Sequence, residues 1–117
     1  MASPSRPTKI LALTPKGATL ARRLGRELAG AQCWLPRTQA KEPGDRTFSR
    51  LSDVFQEAFG QGENLVCVMA AGIVVRGIVP YLQSKAVDPA VVVVDEAGRF
   101  AISLLSGHLG GANDLAR

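Results

Sequence analysis

The sequence lacks the long apolar segments that mark membrane and secreted proteins. Its longest apolar run, residues 65–75, has 11 residues, well short of the ~20 that a membrane-spanning helix needs. Residues 1–9 contain two prolines and two serines but no apolar core, so they do not form a secretory signal. We therefore expect a cytoplasmic protein with no membrane partner, in which residues 1–8 are a disordered N-terminus.

Cysteine, histidine and aromatic residues are also scarce. Cys33 and Cys67 lie in apolar runs, and we expect two buried free thiols, although a bridge between them stays open. The single histidine, His108, excludes a multi-histidine metal site in this chain. The few aromatic residues fall mostly in expected core positions. Despite a pI near 9.6, we therefore expect no nucleic-acid partner, because base stacking needs exposed rings.

What is present fits one globular domain. The 117 residues are 46% hydrophobic and 21% charged, close to the average for such domains. Positive charge is concentrated in residues 1–59, which hold ten Lys or Arg against five Asp or Glu, whereas residues 60–117 hold four against five. A basic half indicates an anionic partner without naming it. Three arginines of this half, Arg22, Arg23 and Arg26, are expected to form a solvated helix face.

Strand and helix patterns alternate along the chain. Strands are expected at 9–14, 31–35, 64–70, 90–94 and 100–105, helices at 15–29 and 50–59, a helical segment from 71 that Pro80 interrupts, and a surface loop at 36–47. The β-branched run at 90–94 is typical of a parallel strand covered on both faces. The turn after it is too short for a crossover, so the last strand should be antiparallel.

These patterns predict an α/β fold. We expect a mostly parallel open sheet of four to five strands with helices on both faces. Residues 9–117 would form one domain, the N-terminal domain of a longer protein, ending at the start of a helix.

Three glycine-containing turns follow predicted strands, at residues 14–17, 70–73 and 106–113. Ligands of open α/β sheets bind beyond the carboxyl ends of strands, and glycine lets them approach the backbone. The same glycines are equally consistent with turn geometry alone. His108 lies in the third turn, where its side chain suits general acid–base chemistry but would equally suit a backbone cap.

Charged residues near these turns carry two interpretations each. Asp95 and Glu96 follow the valine run and should point to opposite sides, so at most one faces a site. Arg99 more simply pairs with one of them across the turn. Arg76 is the lone cation of an uncharged stretch, and it either binds a carboxylate or reaches into water.

Three segments together resemble a known family. They are residues 69–76 (MAAGIVVR), 88–99 (DPAVVVVDEAGR) and 103–113 (SLLSGHLGGAN). In this order they resemble the CbiG family, the cobalt-precorrin-5A hydrolases of anaerobic cobalamin biosynthesis. The resemblance is strong over residues 64–117 and looser over residues 8–63.

The resemblance implies a substrate and a reaction. The family opens the δ-lactone of cobalt-precorrin-5A and releases acetaldehyde, which gives cobalt-precorrin-5B. The cobalt belongs to the substrate, so no cofactor and no protein metal site are expected. The expected partners are the cobalt-tetrapyrrole substrate and the family's C-terminal domain, and a homodimer stays open. The alternative is a non-catalytic domain that binds the tetrapyrrole or a partner.

Candidate roles follow from position and chemistry. His108 or Glu96 would activate the water that attacks the lactone. Amides of the third turn would stabilise the oxyanion, and cations would hold the substrate's carboxylates. The expected substrate-binding residues are Lys16, Gly72, Arg76, Arg99, Ser106, Gly107, Gly110, Gly111 and Asn113.

Overall fold

The computed structural model describes residues 6–85 and 87–106. Its helices and strands are, in chain order, β1 (Thr8–Ala12), α1 (Pro15–Glu27), β2 (Ala31–Pro36), β3 (Arg46–Phe48), α2 (Leu51–Gln61), β4 (Asn64–Val68), α3 (Ala71–Ile78), β5 (Ala90–Val94) and β6 (Ala101–Ser106). Thr8 already belongs to β1, so β1 begins one residue before the predicted start of the domain. No helix within the described ranges is long and apolar enough to cross a membrane.

The strands form one sheet in the order β3-β2-β1-β4-β5-β6. Neighbours pair in parallel from β3 to β5, and β6 pairs with β5 in antiparallel fashion. The predicted α/β class and the mostly parallel sheet are confirmed. The predicted number of strands was too low, because β3 lies at the end of the expected loop 36–47. Its three residues carry no apolar pattern and form a strand by pairing with β2.

Helices cover both faces of the sheet, as predicted. On one face α1 packs against a core that includes Ile10, Leu35 and Val92. On the other face α2 and α3 enclose a second core that includes Leu11 and Phe55. All residues of β1, β4 and β5 are buried, which confirms that the valine run is covered on both sides.

The two cysteines lie on opposite faces of the sheet. Cys33 belongs to the core under α1 and Cys67 to the core under α2 and α3. Both are free and buried, as expected, so no disulfide bond joins them. Burial raises the pKa of Cys33 to about 11 and that of Cys67 to about 12.

A buried lysine lies at the opposite end of the sheet from the carboxyl ends of the parallel strands. Lys9, the second residue of β1, places its Nζ 2.5 Å from Glu57 Oε1 and 2.7 Å from Glu63 Oε1. The same Nζ lies 4.9 Å from the centre of the Trp34 ring. Burial opposes the charge on Lys9, but the hydrogen bonds that Lys9 donates to Glu57 and Glu63 and the attraction of the two carboxylates outweigh it, so the pKa of Lys9 is raised. Lys9 therefore forms ion pairs within the fold and is not available to a ligand.

Arg22 departs from the expected solvated helix face. Its Nη2 lies 2.8 Å from Asp45 Oδ2 and donates to the Gln39 carbonyl at 2.7 Å. The Asp45 carboxylate also accepts the backbone N–H groups of Lys41 and Glu42. The expectation was wrong for Arg22 because the segment between β2 and β3 folds onto α1 through these polar contacts.

The pair of Arg22 and Asp45 predicts acid sensitivity. The hydrogen bond from Arg22 holds the pKa of Asp45 below its usual value of 3.8. The resulting stability is therefore present above that value and is lost as pH falls through the lower, folded-state pKa. Urea unfolding between pH 6 and pH 2.5 should show that Asp45→Asn has a shallower fall in the free energy of unfolding than the unmodified chain. The control is Asp53→Asn, at an exposed carboxylate of α2, and an equal slope in both variants would contradict the assignment.

Gly77 permits the contact between α3 and α2. A Cβ placed on Gly77 would lie 2.6 Å from Cδ2 of Phe55, and the Phe55 ring is fully buried. We expect Gly77→Ala to lower the free energy of unfolding by about 1–3 kcal/mol, because the ring has no room to move. Gly60→Ala is the matched control in α2, where nothing lies within 4 Å of an added Cβ. It should raise stability by up to about 1 kcal/mol, and a similar effect in both variants would disprove the crowding.

Candidate functional site

A cavity lies where the carboxyl ends of β1, β4 and β5 meet. Because these strands are adjacent and parallel, the loops that follow them emerge side by side. The cavity has a volume of about 530 Å³ and is lined by Leu13, Thr14, Lys16, Met69, Ala70, Ile73, Asp95, Glu96 and Ala97. Small molecules bind to open α/β sheets at this edge, in cavities of this size.

Thr14 connects two walls of the cavity. Its Oγ1 accepts the backbone N–H of Gly17 at 3.0 Å, which caps the N-terminus of α1. The same hydroxyl donates to Glu96 Oε2. One side chain therefore caps α1 and holds the carboxylate that follows β5 against the cavity.

Gly17 allows this close arrangement. A Cβ on Gly17 would lie 3.1 Å from Thr14 Oγ1 and 3.3 Å from the carbonyl oxygen of Val68. Both distances are tighter than ordinary contact. The glycine therefore lets the first turn of α1 approach the end of β4.

The two adjacent carboxylates have different roles. Asp95 Oδ1 accepts the backbone N–H of Phe100 at 2.7 Å, and this bond lowers the pKa of Asp95. The backbone of Asp95 also bonds to Gly98 and Phe100, and Gly98 has a φ of +74° that suits glycine. Both carboxylates line the cavity, contrary to the expectation that at most one would. Since Asp95 closes the turn, Glu96 is the group available for chemistry.

Lys16, Gly72 and Arg76 lie at or near this edge. Lys16 lines the cavity from the first turn of α1 and is exposed. Gly72 and Arg76 belong to α3 and lie outside the lining residues. The Arg76 guanidinium folds back over the first turn of α3, since its Nη2 would be 3.6 Å from a Cβ on Gly72. Arg76 is exposed.

Arg99 and Ser106 lie elsewhere. Arg99 lines a separate groove of about 340 Å³ between α1 and β6, and its side chain forms no ion pair with Asp95 or Glu96. Because β6 is antiparallel, the backbone of Ser106 pairs with Ala90 at the amino end of β5. Ser106 is therefore at the opposite edge of the sheet from Glu96, not at the shared edge that the sequence predicted.

The remaining candidates, Gly107, His108, Gly110, Gly111 and Asn113, lie outside the described residues. Their proposed roles stay predictions.

The cavity is mostly apolar and carries mixed charge. Its apolar part consists of Leu13, Met69, Ala70, Ile73 and Ala97, and its charged part consists of two carboxylates and one ammonium group. Within the described part of the chain, no group of three or more His, Cys, Asp or Glu side chains could hold a metal ion. The lining can therefore contact an apolar surface, accept a proton at Glu96 and bind one anionic group at Lys16.

The two hydrogen bonds of Thr14 predict that stability depends on its hydroxyl group. Thr14→Val removes the cap and the hydrogen bond to Glu96 and should lower the free energy of unfolding by about 0.5–2 kcal/mol. Thr14→Ser keeps the hydroxyl and should stay close to the unmodified chain. Urea unfolding at neutral pH measures both, and a serine variant as unstable as the valine variant would show that the methyl group matters more than the hydroxyl.

Comparisons with known proteins give a consistent result. The family model described as "Cobalamin synthesis G N-terminal" matches residues 53–117. A protein of Priestia megaterium named cobalt-precorrin-5A hydrolase is 36% identical over 113 residues. A protein of the same name from Salmonella typhimurium is 41% identical over 111 residues. Each match covers 92% of this chain and 30% of the relative, so the chain spans about a third of the length of these relatives.

A solved structure has the same fold. It is that of a cobalamin biosynthesis protein G homolog from Sulfolobus solfataricus, with a TM-score of 0.65 and 24% sequence identity. The match covers 96% of this chain and 32% of that protein.

Proposed function

The chain belongs to the cobalamin synthesis G N-terminal family, and from this membership we propose that it forms one wall of the active site of a cobalt-precorrin-5A hydrolase. The proposed reaction opens the δ-lactone of cobalt-precorrin-5A with water and releases acetaldehyde, giving cobalt-precorrin-5B. The cobalt is carried by the substrate, so the proposal gives the protein no cofactor of its own.

The position of Glu96 is the observation that carries the proposal. Thr14 binds Glu96 Oε2, and the other carboxylate oxygen has no hydrogen-bond partner among the residues described. That oxygen accepts a proton from water as general base. The water oxygen then adds to the lactone carbonyl carbon and the ring C–O bond breaks, which gives a carboxylate and an alkoxide on the two-carbon fragment. Collapse of that alkoxide to a carbonyl breaks the C–C bond to the macrocycle and releases acetaldehyde, and the electron pair left on the macrocycle carbon takes up a proton.

The other lining residues suit the rest of the substrate. Leu13, Met69 and Ile73 offer apolar contacts to the macrocycle. Lys16 at the cavity would bind an acetate or propionate group. Lys16 is exposed and forms no ion pair with another described residue, so it is available to an anionic ligand. Arg76 lies outside the cavity lining, so its predicted contact with substrate is left out of this proposal.

A second candidate function is binding without turnover. The position of Ser106 favours it, because this predicted substrate-binding residue pairs with Ala90 at the amino end of β5, at the edge of the sheet opposite Glu96. In this case the chain would hold the tetrapyrrole while groups outside it perform the chemistry.

Turnover of cobalt-precorrin-5A, followed by acetaldehyde formation, tests the proposal. The assay uses this chain alone and a chimera in which it replaces the matched third of the Salmonella typhimurium relative. We expect Glu96→Gln to lower the kcat of the chimera by about 10²–10⁴ through loss of the general base. Lys16→Ala should mainly raise KM. The control is Glu27→Gln, an exposed carboxylate at the end of α1.

The outcomes separate the two candidates. A Glu96→Gln chimera with normal kcat, together with substrate binding that Lys16→Ala weakens, supports binding without a catalytic role. A chimera that turns over normally with both substitutions contradicts the proposal and the second candidate together.

A further inference from the structure

The outer face of α3 and the turn after it is apolar and exposed. Four side chains form this surface, which we name the α3 face: Ile73 (40% exposed), Val75 (42%), Val79 (56%) and Leu82 (42%). Val79 and Leu82 are joined by a backbone hydrogen bond across the 3-10 turn. The inner side of α3 is already occupied, because Val74 and Ile78 are buried. The exposed residues are therefore a second apolar side of the same helix.

The other two helices have polar outer faces. The exposed residues of α1 include Lys16, Thr19, Arg23 and Arg26, and those of α2 include Ser52, Asp53, Gln56 and Glu57. In α3 the only polar side chain is Arg76. A helix that covers a sheet normally turns polar residues to solvent, and a contiguous exposed apolar surface marks an interaction site.

The α3 face is continuous with the candidate site. Ile73 belongs to both, since it also lines the cavity beside Glu96. Arg76 is three residues from Ile73 and three from Val79, so it lies within the α3 face. A partner seated on this face would also form a wall of the cavity on the α3 side.

The position of Arg76 distinguishes between possible occupants. In a symmetric dimer through this face the same patch would meet itself, which would put two Arg76 guanidinium groups in one interface. Like charges in an interface oppose association. The α3 face suits a different surface, one that is apolar and places a carboxylate opposite Arg76.

The relatives are long enough to supply another surface. This chain corresponds to 30% of the length of both hydrolases, so more than two thirds of each relative lies outside the matched region. We propose that the part of these proteins beyond the matched third docks on the α3 face and closes the candidate site. That the interface encloses a substrate-binding site rests on the proposed function, whereas the docking itself does not.

Thiol labelling tests the docking directly. Val79→Cys places a thiol in the centre of the α3 face, and Gln56→Cys places a matched thiol on the outer face of α2. The native cysteines react slowly because they are buried and protonated. Labelling by N-ethylmaleimide, read by mass spectrometry of the peptide that contains residue 79 or 56, is compared between this chain alone and the Salmonella typhimurium chimera.

In the isolated chain both new thiols should react at similar rates. In the chimera the thiol at position 79 should react at least about tenfold more slowly, while the thiol at position 56 should keep its rate. Arg76→Glu in the chimera should restore part of the labelling at position 79. The new carboxylate would repel the carboxylate that we expect on the docked surface and would weaken the docking.

Two results would overturn the inference. One is equal labelling of position 79 in the chimera and in the isolated chain. The other is a slow rate at position 79 in the isolated chain together with a dimeric mass in light scattering, which would identify a second copy as the occupant. A second chimera, built on the Priestia megaterium relative, gives the same measurement if the first does not melt cooperatively. Because labelling needs no turnover, protection without acetaldehyde release would sustain the docking and count against the proposed function alone.

Discussion

The parallel pairing of β4 with β1 on one side and β5 on the other determines where every candidate group lies. These strands are buried on both faces, and each buried valine of β5 contributes up to ~2 kcal/mol to folding. A shift of register would turn apolar side chains to the wrong face, so the pairing is strongly specified. As a result three loops from distant parts of the chain meet at one edge, and Thr14 can reach Glu96.

Features that depend on local pattern were predicted from the sequence, and those that depend on tertiary contact were not. The valine strand, the break at Pro80 and the antiparallel last strand followed from composition and turn length. The family resemblance is confirmed by the match over residues 53–117. By contrast, β3 was not predicted, because it has only three residues and no apolar repeat. The ion pair of Arg22 was not predicted either, because it depends on where the loop that carries Asp45 folds.

The candidate site shows the same division. The cap at Thr14 is a local signal, whereas its bond to Glu96 joins residues that are 82 positions apart. The edge reached by Ser106 follows from the antiparallel direction of β6. The sequence predicted that direction, but only the register shows that it carries the chain away from the other two turns. A family resemblance cannot supply such geometry, because it carries residue identities and not their positions.

The distribution of charge supports a site that this chain shares with another surface. Part of the basic excess of the first half is used internally, since Lys9 binds Glu57 and Glu63 and Arg22 binds Asp45. The cavity itself holds one ammonium group and two carboxylates. A polyanionic macrocycle would therefore need more cations than this wall provides.

A cobalt tetrapyrrole that binds at the carboxyl edge of the sheet should be detectable by a ¹⁵N NMR titration of the chain with a stable cobalt corrin that carries free side-chain carboxylates. We expect shifts concentrated at the amides of Leu13, Lys16, Ile73 and Glu96, with little change at Arg22 and Asp45. Shifts confined to the groove between α1 and β6, or to the amino edge near Lys9, would contradict it.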